Sequence, residues 1–402
     1  MSDDGHIIFN SRRGSLILFD DDEYNRFLNN ELTIDETNKL RDVGILVEKQ
    51  ENELQEIINL RYKYRENTKG IRFKIFTTTS CNARCPYCFE QSLPAKNMSL
   101  ETATKVAEFI IDQSKDYETV ELSWFGGEPL LNVEVINHIC SILNNSEELQ
   151  GKNISSHMLS NGSLFSKEIV EYALNNWHMR YVQITMDGTE KNHNSIKSIK
   201  GMNAFNQTIN NIKMLLRSGI KVNVRINFNK KTIDDACKLI HYLHEEIGLG
   251  ISVYGASLFY NDPLITIEDE NTGPYYERII DALFMNGYIK NVKSLALMPK
   301  VSGCSASNPH YFTIQTDGAI FRCPEVTSFK DEMIGSVYTY CDTNKFIPEV
   351  PDECIDCKLL PVCQGGCVNS LRKLINNTKC HRYRYSIDRA IIAISKAYLR
   401  RF

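Results

Sequence analysis

Three cysteines crowd one short segment, Cys81-Asn82-Ala83-Arg84-Cys85-Pro86-Tyr87-Cys88, with the spacing C-x3-C-x2-C. Three thiolates on one loop can grip three irons of a cubane cluster. The fourth iron then has no protein ligand, and an open coordination site is what catalysis at a metal requires. Rival chemistries fit less well. A structural zinc ion wants a fourth ligand, and no further Cys or His lies nearby in sequence. A nucleophilic cysteine has no need of two partners at fixed spacing.

A second group lies near the C-terminus. Cys304 is followed by Gly318 and Cys323, then by Cys354, Cys357, Cys363 and Cys367 at C-x2-C-x5-C-x3-C, and Cys380 closes the set. Taken alone, Cys354–Cys367 divides evenly between zinc knuckles and iron–sulfur ligation, because C-x2-C serves both. Cys341 falls among them. Cys140 and Cys237 sit in helical patterns and read as ordinary buried thiols.

Disulfides are disfavoured in the cytoplasm, so thirteen cysteines there ask for metals or redox chemistry. The acidic start, Met-Ser-Asp-Asp-Gly, lacks a signal peptide's basic and apolar regions, so the expected location is cytoplasmic. No apolar run reaches the ~18 residues that span a bilayer, and no membrane partner is expected. A net charge of −4 and a pI near 6.2 exclude coating of nucleic acid by bulk positive charge. At 402 residues, 42% apolar and 24% charged, the chain is an ordinary globular protein of about two or three domains.

The elements that must hold these cysteines follow. From residue 71, strand-like runs occur at Phe73–Thr78, Val120–Phe125, Ser156–Ser160, Tyr181–Met186, Val222–Phe228 and Ile251–Phe259. Helical patterns lie between them. One follows a Ser99 cap with Val106, Phe109 and Ile110 on a face; another carries Phe205, Ile209, Ile212, Leu215 and Leu216 and stops at Gly219. Such alternation predicts a parallel sheet. Six units suggest a partial TIM-type (β/α)6 barrel, whose chemistry belongs on loops after the strands' C-terminal ends. The Cys81 segment follows the first strand.

Residues 1–70 read as a separate unit. His6–Phe9 and Ser15–Phe19 flank a hairpin signal, Asp20-Asp21-Asp22 can cap a helix, Thr33 can open another, and Gly44 precedes a strand-like Ile45–Val47. Glu51–Tyr64 is a helix with Leu54, Ile57, Ile58 and Tyr62 on one side. Two strands followed by helices suggest a winged-helix-like domain; an extension packed on the main domain is the alternative. Ile387–Phe402 reads as a closing helix.

The cysteine loop after a first barrel strand, with an aromatic inside it, resembles the cluster loop of radical S-adenosylmethionine (SAM) enzymes. The second strand supports this, running into Gly126-Gly127-Glu128-Pro129, which matches that family's GGEP motif. Ser160-Asn161-Gly162 is similar to its T-N-G segment. Thr185-Met186-Asp187-Gly188 is similar to its S-x-D-G segment, with His193 downstream. The resemblance implies a 4Fe–4S cluster on Cys81, Cys85 and Cys88. It implies SAM contacts at Tyr87, Gly126, Gly127, Glu128, Ser160, Asn161, Thr185 and Asp187. Lys197 stands where the family often has a cofactor-contacting Arg, and lacks the planar fork. Arg225 is a candidate partner of the SAM carboxylate, or equally a solvent-facing arginine. Asp187 could equally be a turn residue before Gly188.

The later cysteines resemble the SPASM domain of these enzymes. That implies two auxiliary 4Fe–4S clusters, one on Cys304, Cys323 and Cys367, the other on Cys354, Cys357, Cys363 and Cys380. Cys341 or a substrate thiolate could complete the first. The implied division is a winged-helix-like precursor-peptide recognition element at 1–70, a radical SAM partial barrel at 71–295 and a SPASM domain at 296–402. The implied chemistry is hydrogen abstraction by a 5′-deoxyadenosyl radical from a ribosomally made precursor peptide with a leader sequence. An electron donor such as flavodoxin or ferredoxin is implied as a partner. A cysteine thioether crosslink is the expected product. Carbon–carbon crosslinking and formylglycine formation on a sulfatase are the alternative reactions. A non-enzymatic iron–sulfur scaffold is the alternative of another class.

Overall fold

The structure is a computed structural model that describes residues 5–48, 52–258, 273–290, 303–339, 341–347, 349–366 and 391–393. Its contacts group into two compact units. One comprises residues 67–266 with 305–348. The other comprises 1–66 with 267–304 and 349–402.

The first unit is built on parallel strands separated by helices. In chain order these are β3 (Gly70–Thr78), α4 (Leu100–Gln113), β4 (Thr119–Gly126), α5 (Val133–Asn144), β5 (Asn153–Ser160), α6 (Lys167–Asn176), β6 (Met179–Met186), α7 (Glu190–Ile196), α8 (Ala204–Arg217), β7 (Lys221–Phe228), α9 (Ile233–Ile247) and β8 (Ser252–Ser257). Strands β3 to β8 pair in sequence order, all parallel, as the repeated crossover helices require. The sheet then continues beyond β3. Strand β9 (Tyr311–Ile314) pairs parallel to it, and β10 (Ala319–Phe321) and β11 (Gly335–Ser336) add antiparallel. The spacing of short runs in 296–402 did not signal this extension.

One face of the parallel sheet is apolar and fully covered. Ile71, Phe73 and Ile75, then Val120, Leu122 and Trp124, then Val182, Ile184 and Met186, are buried there with Val222, Val224 and Ile226. The apolar stripe of α8, with Phe205, Ile209, Ile212 and Leu215, is buried too. The opposite face alternates into polar side chains. Register sets Arg72 beside Glu121, Ser123 beside His157, His157 beside Tyr181, and Thr185 beside Arg225. Helix ends follow the sequence. Ser99 Oγ accepts the Thr102 amide at 3.1 Å, and Gly219 follows α8 at φ +84°.

The second unit starts with a hairpin, β1 (His6–Asn10) and β2 (Ser15–Phe19), and three helices, α1 (Asp21–Leu28), α2 (Ile34–Asp42) and α3 (Glu53–Glu66). Asp20 and Thr33 cap α1 and α2, each completing a capping box with a Glu three residues on. The strand expected at Ile45–Val47 does not form. The amides of Ile45 and Leu46 both turn back to the carbonyl of Leu40 and close the end of α2, which leaves them unable to join a ladder. Helix α3 also departs from expectation. Its buried positions are Ile57 and Arg61, while Tyr62 is exposed.

Further along this unit come α10 (Gly273–Met285) and a short α11 (Leu360–Cys363). Leu359 and Val362 form a small core against which Phe9, Tyr276, Cys357, Cys363 and Ile391 pack. Ile391–Ala393 is helical, and the rest of the expected closing helix lies outside the described residues. So do Cys367, Cys380 and Phe259.

Candidate active site

The three-cysteine loop leaves the C-terminal end of β3 and is tied to the ends of β6 and β7. Tyr87, between Cys85 and Cys88, donates its hydroxyl to Asp187 Oδ1 at 2.6 Å. Asp187 Oδ2 accepts from Lys197 Nζ at 2.6 Å, with both residues buried. Asn227 on β7 donates to Asp187 Oδ1 and to Tyr87 Oη, each at 3.0 Å. Arg225 Nε donates to Asn227 Oδ1 at 3.0 Å. Burial opposes the charge on Asp187, but Lys197 outweighs it and holds the carboxyl below its ordinary range. Burial likewise opposes the charge on Lys197, and Asp187 reverses the sign. The pair is ionised. Burial, with the Lys197 charge, pushes His193 down to about 3, so its imidazole is neutral and its Nδ1 accepts the Asp187 amide at 3.3 Å.

A second cluster of bonds joins the ends of β4 and β5. Glu128 is fully buried. Its carboxylate accepts from Ser160 Oγ at 2.9 and 3.1 Å, from the Asn161 amide at 2.8 Å and from the Leu130 amide at 3.3 Å. Burial pushes Glu128 up to about 7 against the pull of those donors. The Asn161 side chain donates to Asn82 Oδ1 at 2.8 Å and approaches Cys81 Sγ at 4.0 Å. Gly126 and Gly127 serve a close approach of backbone to backbone. The Gly127 amide donates to the Thr78 carbonyl at 3.0 Å, and the Glu128 amide to the Ser80 carbonyl at 2.9 Å.

The donor set suits an iron–sulfur cluster. Three half-buried thiols share one loop. Burial raises all three, Cys81 to about 11, while the nearby Lys197 charge pulls Cys85 the other way. Among the described residues no three metal-binding side chains converge as ligands of a single ion would. A cubane instead spreads its thiolates over separate irons.

The structure therefore brings Tyr87, Asp187, Lys197 and Arg225 into one network and Glu128, Ser160 and Asn161 into another, both touching the loop. Thr185 stands on β6 in register with Arg225. Cys140 and Cys237 lie apart, in α5 and α9. Cys323 precedes a short turn at Pro324–Val326, and Cys341 makes an isolated bridge to Gly335. Sequence reasoning missed Asn227, Asn82 and Glu90. Asn227 had a signal, because it lies two residues after Arg225 and so shares its face. Glu90, just past Cys88, is buried and pushed up to about 8 by that burial. Asn227→Ala is expected to cost about 1–3 kcal/mol, because buried Asp187 and half-buried Tyr87 each lose a donor. Anaerobic thermal unfolding measures it.

Residues 75–243 match the model of the Radical SAM superfamily. Those residues form a radical SAM domain. The chain is similar to the radical SAM cyclopropyl synthase TigE of Paramaledivibacter caminithermalis, at 25% identity over 92% of this chain and 85% of that protein. It is similar to a cysteine-type anaerobic sulfatase-maturating enzyme of Clostridium perfringens, at 20% identity over 72% of this chain and 86% of that one. The fold is shared with Streptococcus suis SuiB, solved with S-adenosylmethionine and with its precursor peptide SuiA. The TM-scores are 0.54 and 0.53, at 17% identity over 92% of this chain and 93% of that one. No helix among the described residues is long and apolar enough to cross a membrane.

Proposed function

We propose that this chain is a radical SAM enzyme that matures a ribosomally made precursor peptide by forming a crosslink. The observation that carries the reading is the cysteine loop, fixed by Tyr87–Asp187–Lys197 over the C-terminal ends of parallel strands whose other face is polar. Cys81, Cys85 and Cys88 would hold a 4Fe–4S cluster. SAM would lie against Gly126–Glu128, Ser160, Asn161, Thr185 and Lys197, with Arg225 toward its carboxylate. Cluster and SAM, given one electron by an external reductant, would supply hydrogen-atom abstraction from substrate. The chain's own work is to keep the loop immobile, to neutralise charge beside it and to present substrate from the polar face of β3–β8.

The fold shared with SuiB, which was solved with its precursor peptide, supports a peptide substrate. The hairpin offers a place for a leader. Strand β2 borders a groove of about 650 Å³ lined by Leu16, Ile17, Arg41, Val43, Leu46 and Val47. An extended leader could add there as a further strand. Two crosslinks are in view. A thioether follows if a substrate thiolate completes the auxiliary cluster on Cys304, Cys323 and Cys367. Similarity to a cyclopropyl synthase supports a carbon–carbon bond instead. The sulfatase-maturase reading needs no leader.

The test is mass spectrometry of the reconstituted enzyme with SAM, reductant and a short cysteine-containing peptide encoded beside its gene. Loss of a pair of hydrogens together with a free thiol establishes the thioether. The same mass loss with the thiol still alkylatable establishes a carbon–carbon bond. An unchanged peptide with SAM cleaved, and formylglycine made on a sulfatase peptide, overturns the proposal. Cys304→Ala is expected to leave SAM cleavage largely intact and to abolish the crosslink. Equal loss of both would mean that Cys304 serves the SAM site instead.

A further inference from the structure

Helix α3 buries charge where its pattern predicts apolar side chains. Arg61 is only 4% exposed, and the side chain of Arg65, one turn on, only 11%. Arg61 Nη1 donates to the carbonyl of Gln364 at 2.8 Å, and Gln364 directly follows Cys363. Two guanidinium groups one helical turn apart repel, so negative charge close to them is favoured there. Glu349 lies 3.7 Å from Arg65 and accepts from Tyr62 at 2.6 Å. That carboxylate is 64% exposed, so solvent screens it. Burial, then Arg65, lowers the pKa of Arg61; Glu349 and the Cys354 thiol act the other way.

The same hairpin and helix grip the segment that carries Cys354, Cys357 and Cys363. Phe9 packs with Cys357 and Cys363 on Leu359 and Val362, and Ser11 donates its hydroxyl to the Lys358 carbonyl. The cysteine-bearing segment thus meets the hairpin at Lys358 and Arg61 of α3 at Gln364.

We propose that Arg61, supported by Arg65, is the counter-charge of an iron–sulfur cluster held by Cys354, Cys357 and Cys363, which makes the N-terminal hairpin and α3 a working part of that cluster's site. Cysteine thiolates give such a cluster net negative charge, and nearby charge and hydrogen bonds set its potential. A buried cation stabilises the reduced, more negative state, so removing it lowers the potential. The cluster in turn compensates Arg61, so loading it should tighten α3.

The inference rests on the auxiliary-cluster reading, and the experiment separates the two. Full-length protein, reconstituted without oxygen, is assayed for iron as wild type and as Cys357→Ala. A loss of about four irons upholds the ligand reading; no loss removes it, and the inference with it. Arg61→Met and Arg61→Lys are then titrated with reductant and followed by electron paramagnetic resonance. The expected result is an auxiliary signal that is lost or reduced at lower potential in Arg61→Met, restored in Arg61→Lys, with the signal of the Cys81 loop unmoved. An unchanged auxiliary potential and iron content in Arg61→Met, with the Cys357→Ala loss standing, overturns the inference. Should Arg61→Met fail to fold, hydrogen exchange of wild-type α3 decides. Faster exchange after iron removal supports the coupling, and equal exchange refutes it.

Discussion

Lys197→Met is expected to cost about 3–5 kcal/mol of stability, because it leaves a buried carboxylate without its cation. Lys197 is 3% exposed and Asp187 1%, so water cannot replace the lost charge. Asp187 would keep the Tyr87 hydroxyl and the Asn227 amide as donors, neither of them charged. Asp187→Leu should be comparably damaging from the other side, stranding the ammonium. The double variant, Lys197→Met with Asp187→Leu, should recover most of the loss, since a buried ion pair is often replaced by apolar residues of similar volume at little net cost. Anaerobic thermal unfolding measures all three. SAM cleavage gives the second readout. If Lys197 also faces the cofactor, cleavage stays low in the double variant even where stability returns. A double variant no more stable than either single would mean the pair does not compensate itself. A double variant that cleaves SAM normally would reduce Lys197 to a structural role.

The barrel strands were legible because each combines two constraints. A covered face demands Ile71, Phe73, Ile75 and their neighbours, and β-branched runs bounded by turn residues mark the ends. Observed boundaries differ from the expected ones mainly by extra residues at strand starts, where Gly70 and Thr119 already pair without contributing to the apolar run. Caps at Thr33 and Ser99 are local hydrogen bonds between near neighbours and could be read directly, and the run Asp20-Asp21-Asp22 marked the third, which Asp20 makes. Strand β9 could not. Tyr311–Ile314 is four residues long, and what makes it a strand is its pairing with Arg72–Ile75 far away in sequence.

The site divides in the same way. Cys81, Cys85 and Cys88 announce themselves by spacing alone. Asp187 and Lys197 were visible as candidates, but that they pair, and that Tyr87 closes onto them, depends on where β6 delivers Asp187. Arg61 shows the limit of periodicity. The helical pattern locates the buried side of α3 approximately, and only the tertiary environment shows that a guanidinium occupies it.

Gly126→Ala is expected to abolish SAM cleavage and to remove about four irons per chain, the content of the cluster proposed for the three-cysteine loop. The position combines two obstacles. At φ +123° its backbone is one that L side chains rarely adopt, and an added Cβ would lie 2.0 Å from the Thr78 carbonyl oxygen. Gly127 presents the second obstacle alone, with its Cβ 2.2 Å from the Ser80 carbonyl oxygen. In both cases the obstructing atom is backbone of the chain that leads into Cys81, so no side-chain rotation relieves it. The ends of β3 and β4 must separate, which breaks the Gly127–Thr78 and Glu128–Ser80 bonds and shifts the loop. Gly219→Ala supplies the comparison. It too has positive φ, +84°, but nothing lies within 4 Å of its added Cβ, so it should cost only the conformational strain of about 1–2 kcal/mol and keep its iron. Gly127→Ala should behave like Gly126→Ala despite its ordinary φ, because contact with the loop, more than left-handed strain, is what the paired glycines avoid. Iron retained in Gly127→Ala but lost in Gly126→Ala would reverse that ranking and assign the requirement to backbone conformation.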